Sequence, residues 1–290
     1  MFIFAGPQQA RDVTLRVLLS PGDAVWLEEP AHPRTRASLE AASARIHPVG
    51  TGGGAFDARQ AEMECPEARL AYVFAAKQVP IVPIAQPMAM GAAGALLDFA
   101  RRRDAWIIED AQGEDYILPR QGVTLHSAAA RDRVVYLGAF GRALFPALRI
   151  GFAIVPPSLA EAFAGARAIA GGYASLIGQM IVTDFMADGH LEQHVHRMRK
   201  IYAARRDCLL EAAQRHAAGR LVLGGAGASM QMVRLLPQGQ EAEAARRAEE
   251  ATDLLPREGG HGVRTVALQL NGEVGAQEHL QQRPAMGCTW

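Results

Sequence analysis

The stretch AWIIEDAQGED (residues 105–115) ends a strongly apolar run with two carboxylates, Glu109 and Asp110. An acid at the C-terminal end of a buried strand lies where open α/β sheets bind ligands, and it can hold a protonated ring nitrogen or a metal ion. A solvated strand end is the competing reading. A second candidate is AGPQQA (residues 5–10), where a strand hands over to a helix. The amides and dipole at a helix start suit a phosphate, although Pro7 removes one donor and the same junction also serves as a plain turn. A third is VVYLGAFGRALFPALRIGF (residues 134–152), which plants Arg142 in a small-residue turn between two strands. A guanidinium stays protonated and makes a poor amine nucleophile.

Other patterns carry less. VGTGGGAF (residues 49–56) matches G-x-G-x-x-A through Gly50, Gly52 and Ala55. A dinucleotide fingerprint also needs a helix directly behind it and an acid ending the next strand. Here a short segment broken by Pro66 follows, so a loop is expected. His190 and His194 stand four apart on one helix face, but no acidic or cysteine partner is spaced to complete a metal site, and a surface histidine cluster is expected. No G-x-S-x-G elbow, phosphate-loop lysine motif or zinc spacing occurs.

Elements to position these residues come in alternation. FIFAG, DAVWLEE, RIHPV, ARLAYVFAA, AWIIEDA, RVVYLGAF and RIGFAIV read as strands, with PQQARDVTLRVLL, PRTRASLEAASAR and GAAGALLDFARRRD as helices between them. Such alternation predicts an α/β fold with a mostly parallel sheet covered on both faces. Residues 158–217 read as helical, including one long helix from HLEQHVH onward. Residues 218–290 read as a smaller α+β C-terminal domain with a polar tail, leaving 1–157 as the large domain.

Composition narrows the function. In 290 residues thirty acids balance thirty bases, so no general field draws the chain to nucleic acid or membrane. No apolar stretch reaches spanning length and MFIFAGPQQARD lacks the basic flank of a secretion signal, so a cytoplasmic protein is expected. Cys65, Cys208 and Cys288 are far apart without a C-x-x-C pair and read as reduced thiols without disulfides. Only two of the thirty bases are lysines, Lys77 and Lys200.

The order of several blocks is more specific than any one of them. AGPQQARDVTLRVLLSPGDAVWLEEPAHP, GAFDARQ, ARRRDAWIIED, YLGAFGRALFPALRIGFAIVPPSLAEA and DFMADGHLEQHVHRMRKIYAARRDCLLEA follow one another. From about residue 3 to about residue 235 the chain resembles the aminotransferase-like domain of MocR/GabR-type transcription regulators. Those proteins join a winged-helix DNA-binding domain to a PLP-dependent transferase fold of type I. The resemblance implies pyridoxal 5'-phosphate (PLP) as cofactor, an amino acid or amine as ligand, and a homodimer. The chain starts just before the GPQQ block, so the winged helix and the first part of the transferase domain are expected to be missing, and no DNA binding by this chain is expected.

The resemblance also assigns residues, and several depart from the pattern. The family block reads like YLGTFSKTLFPALRLGY, whose lysine forms the Schiff base with PLP; Arg142 stands in that place and Gly141 replaces the neighbouring serine. Arg149 is retained near the phosphate, with Gly6, Gln8 and Gln9 at the helix start. Asp110 matches the acid for the pyridine nitrogen, Gln112 stands where a tyrosine meets the PLP hydroxyl, and Gln78 survives from a loop otherwise changed. His32 fills a tyrosine position and is expected to stack on or bond to the cofactor. Lys77 is the one conceivable substitute nucleophile, Lys200 reads as solvated, and Arg264 is a weak candidate for the substrate carboxylate. Three readings stay open. They are a transaminase, a non-catalytic module holding PLP or an amino acid without a covalent bond, and a degenerate fragment that binds nothing.

Overall fold

The computed structural model describes residues 1–29, 31–50, 56–74, 90–111, 125–127, 132–141 and 143–217, with short strands at 233–235, 263–264, 266–268 and 280–281. Seven strands make the main sheet: β1 (Phe2–Phe4), β2 (Ala24–Glu29), β3 (Arg45–Gly50), β4 (Leu70–Val73), β5 (Trp106–Asp110), β6 (Val134–Ala139) and β7 (Gly151–Ile154). Their order is β1-β7-β6-β5-β4-β2-β3. Strands β2 to β6 pair in parallel, while β7 is antiparallel to both β6 and β1. The parallel strands need crossovers, and α1 (Pro7–Leu18), α2 (Pro33–Ala41), α3 (Ala58–Glu64) and α4 (Met90–Arg102) supply helices between them. The expected α/β architecture, with helices flanking a mostly parallel sheet, is the one observed.

The central strands are apolar on both faces because both faces are covered. LAYV of β4 and VVYLGA of β6 are buried throughout. Alternation then sends neighbours to opposite sides. Val25 and Leu27 join Val13 and Leu15 of α1, Leu39 of α2 and Phe163 of α5 (Ala160–Ala170). Trp26 turns the other way, into a core with Leu96 and Phe99 of α4. Its ring stacks on Phe99 with centroids 3.9 Å apart, and its Nε1 donates to the Cys65 carbonyl at 3.0 Å. Each such side chain contributes about 1.5–3 kcal/mol of burial. Pro48 is tolerated in β3 because that strand is the sheet's edge.

A third core covers the β6–β7 end. Tyr136, Phe140, Ile150 and Phe152 meet Val182 of α6 (Leu176–Ala187) and Leu191 and Val195 of α7 (His190–Ala217). Two glycines make this end possible. A Cβ on Gly138 would lie 2.2 Å from Phe152 Cζ, and one on Gly151 would lie 2.6 Å from the Gly6 carbonyl carbon. Strand β7 thus runs against the backbone of the β1–α1 junction at a distance only glycine permits.

The long helix expected from residue 190 is α7, and the chain divides into two compact units between Arg197 and Met198 within it. In the second unit β8 (Val233–Leu235) pairs in parallel with β10 (Val266–Leu268), and β9 (Val263–Arg264) pairs antiparallel with β11 (Leu280–Gln281). Cys65 is a free buried thiol, and Cys288 lies outside the described residues. No helix among the described residues is long and apolar enough to cross a membrane.

Candidate functional site

Strands β1, β2, β4, β5 and β6 all run the same way, so their C-terminal ends share one rim. The rim brings together the Gly6 junction after β1, Glu28 near the end of β2, and Asp110 at the end of β5. These come from distant parts of the chain.

Asp110 is buried and points to the face that α1 covers. Its Oδ2 accepts from Arg11 Nη2 at 3.3 Å and from the Tyr72 hydroxyl. That hydroxyl in turn accepts from Arg11 Nε at 2.9 Å, so the three side chains close a ring of charge-assisted bonds. The Arg11–Asp110 pair is 8% and 4% exposed, which makes it an interior ion pair. Burial alone lowers the Arg11 pKa, but the Asp110 charge and hydrogen bonds to Tyr72 and Asp110 outweigh it and hold the guanidinium above its ordinary value. Burial first, and the Asp110 charge second, push the Tyr72 phenol upward against the opposing pull of Arg11, so it remains a neutral donor. Arg11 Nη1 also donates to Gln8 Oε1 at 2.9 Å, and Gln8 Nε2 donates to Ser38 Oγ at 2.7 Å.

The phosphate candidates sit at the start of α1. Gly6 has φ +111° and supplies no side-chain cap, with Pro7 opening the helix. Among the described residues nothing lies within 4 Å of a Cβ placed on Gly6, so they leave the space beside the helix start open. The first-turn amides of a helix have no carbonyl partner within it and face outward along its axis. Gln9 uses its side chain internally: Oε1 accepts from the Ala5 amide at 2.7 Å and Nε2 donates to the Gly171 carbonyl. Arg149 is exposed and lies in the left-handed region (φ 47°, ψ 46°) after the turn Pro146–Leu148. Its Nη2 reaches the Ala5 carbonyl at 3.4 Å, which brings a cation next to the Gly6 junction.

The remaining candidates divide. Glu109, beside Asp110 but facing the other way, accepts from the amides of Leu125 (3.1 Å) and His126 (2.8 Å) and anchors a turn. His32 caps α2, its Nδ1 accepting from the Arg34 amide at 3.1 Å, which leaves Nε2 as the protonated nitrogen of a neutral ring. His194 donates through Nε2 to the Ala143 carbonyl at 2.8 Å and His190 packs on Phe185, so neither histidine is arranged for a metal. Among the described residues no cluster of metal-binding side chains occurs. Lys200 is exposed on α7. Arg142, Lys77, Gln78 and Gln112 lie outside the described residues, as do Gly52 and Ala55; Arg264 is placed only as part of β9.

Sequence reasoning missed Arg11, Tyr72 and Glu28. Arg11 falls on the inner face of α1 with Ala10, Thr14 and Leu18, and a charge inside an apolar stripe signals a buried partner. Tyr72 carries a hydroxyl in a wholly buried strand, where a partner is also required. Glu28 is buried near the end of β2 and accepts from the Phe74 amide; burial raises its carboxyl to about 7, against the opposing effect of that bond.

The model of the family "Aminotransferase class I and II" matches residues 2–260. The chain belongs to that family. The probable rhizopine catabolism regulatory protein MocR of Rhizobium meliloti is 33% identical over 249 residues, covering 86% of this chain and 50% of that protein. The transcriptional regulator TauR of Rhodobacter capsulatus is 28% identical over 79% of this chain and 46% of its own length. This aminotransferase-family chain therefore spans about half the length of these regulators. Among solved structures, α-aminoadipate aminotransferase LysN of Thermus thermophilus superposes with a TM-score of 0.71 at 25% identity, over 86% of this chain and 64% of that one. Kynurenine aminotransferase of Pyrococcus horikoshii gives 0.75 at 24% identity, over 86% and 63%.

The fold implies PLP, and the residues present fit it at the phosphate end. Open space beside Gly6, the α1 amides and the Arg149 cation suit a phosphate dianion. At the ring end the acid is present, but a cation of the same chain already lies against it.

Proposed function

We propose that this chain is a MocR-type aminotransferase-like domain that holds PLP without a covalent bond and responds to an amino acid or amine, with transamination impaired. The observation that carries the reading is the shared rim, where the open helix start at Gly6 and the Arg149 guanidinium lie on the same side of the sheet's strand ends as Asp110, with two strands between β1 and β5. PLP supplies an electron sink for bonds at an amino acid's α-carbon, but its usual use needs a lysine amine. Arg142 stands at the position that the resemblance gives to that amine, and a guanidinium neither adds readily to an aldehyde nor carries the proton that transamination moves. Gly6 and the α1 amides would bind the phosphate, Arg149 would neutralise it, and Asp110 would face the ring. The likeness to MocR and TauR supports a regulatory rather than metabolic role, and the apolar exposed side of α6 supports a homodimer.

The transaminase reading rests on one residue, Lys77, together with likeness to the 2-aminoadipate transaminase of Thermus thermophilus (26% identity over 74% of this chain and 55% of that enzyme). PLP titration followed by borohydride reduction and peptide mapping separates the two. Saturable binding that gel filtration removes, with no lysine adduct, is expected, and Arg149→Ala weakens it about tenfold, the effect of one lost charge-assisted contact. A mapped adduct at Lys77 would make the chain an enzyme. No binding at all would leave a fold without its cofactor.

A further inference from the structure

We infer that Arg11 is the standing counter-ion of Asp110, so that the rim selects a phosphorylated ring by its phosphate and does not reward a positive charge on the ring nitrogen. The inference rests on the reading of this rim as a PLP site, and it concerns the specificity of that site. Asp110 Oδ2 receives both Arg11 Nη2, at 3.3 Å, and the Tyr72 hydroxyl. Arginine does not lose its proton in proteins and a buried phenol keeps its own, so the three groups together carry no net charge. A protonated pyridine entering beside them would give up its hydration without meeting an uncompensated anion, and such a transfer is costly.

Arg11 is also held in place. It is buried on α1, its Nε donates to Tyr72 and its Nη1 to Gln8 Oε1 at 2.9 Å, and Gln8 is tied to Ser38 of α2 at 2.7 Å. Swinging the guanidinium aside would break bonds to three residues. Removing it would leave a buried carboxylate in need of a cation, which a pyridinium ring can supply.

The test compares two probes on the full chain. One is PLP; the other is its 1-deaza analogue, with carbon in place of the ring nitrogen and the aldehyde, hydroxyl and phosphate kept. Wild type is expected to bind both with dissociation constants within about twofold, and Arg11→Leu to favour PLP by about tenfold or more, the worth of one partly screened charge pair. Arg11→Leu combined with Asp110→Asn, which removes both charges, should return the ratio to near one. A wild-type preference of about tenfold for PLP, or an Arg11→Leu ratio equal to that of wild type, overturns the inference. Should Arg11→Leu not fold, the wild-type ratio alone decides. Wild type binding neither probe while Arg11→Leu takes up PLP would sink the proposed function and leave this inference standing. Failure of both proteins to bind either probe would end both.

Discussion

At the scale of single residues, the rim holds two carboxyls in opposite circumstances. Asp110 is buried with a cation against it, whereas the Glu28 carboxyl accepts a backbone amide and burial raises it to about 7 from its ordinary 4.5. Because the folded value lies above the unfolded one, the native state binds the extra proton. Both states are protonated below 4.5, so Glu28 then costs nothing; stability falls as pH rises from 4.5 through about 7 and stays lower beyond. Glu28→Gln keeps the shape without the charge. Denaturant titrations at acid and alkaline pH should show wild type losing on the order of 3 kcal/mol relative to Glu28→Gln across that window. A constant difference between the two proteins would mean that the carboxyl is not buried as described.

At the scale of elements, the β6–β7 pair depends on Gly138 lying under the Phe152 ring, which is hemmed in by Tyr136 and Phe140 at centroid distances of 6.2 and 5.6 Å. Gly138→Ala should therefore destabilise the domain by about 1–3 kcal/mol, and Phe152→Leu in the same chain should restore part of the loss, as thermal melts of the single and double variants would reveal. An additive double variant would separate the two residues. Much of this layer is legible in the sequence: WIIED and VVYLGA are apolar on both faces, and only a sheet covered twice asks for that. The reversal of β7 is not, since GFAI reads the same in either direction. Arg11 shows the same limit, because periodicity puts it on the inner face of α1 yet cannot say that the partner is Asp110, ninety-nine positions away. The replacement at Arg142 is legible only through family resemblance.

At the scale of the whole molecule, Ile169, Tyr173, Leu176, Ile177, Met180 and Ile181 are each at least 60% exposed on α5, α6 and the segment joining them. Clustered apolar side chains of this size mark association surfaces. Sedimentation velocity should find a concentration-dependent dimer that Ile177→Glu with Ile181→Glu converts to monomer, with the circular dichroism spectrum unchanged; a wild-type chain that stays monomeric at high concentration argues against the homodimer. The close approach of Gly151 to Gly6 has a different kind of consequence. Phe2 pairs with Ala153, so the junction after β1 gains its support from a strand made long after it on the ribosome. Closing so large a loop is among the slow events of folding. A nascent chain ending at Ile150, just short of β7, would present α1 with its first turn unsupported and Arg149 untethered, so the capacity to hold a phosphate should appear in a single step, as β7 is made.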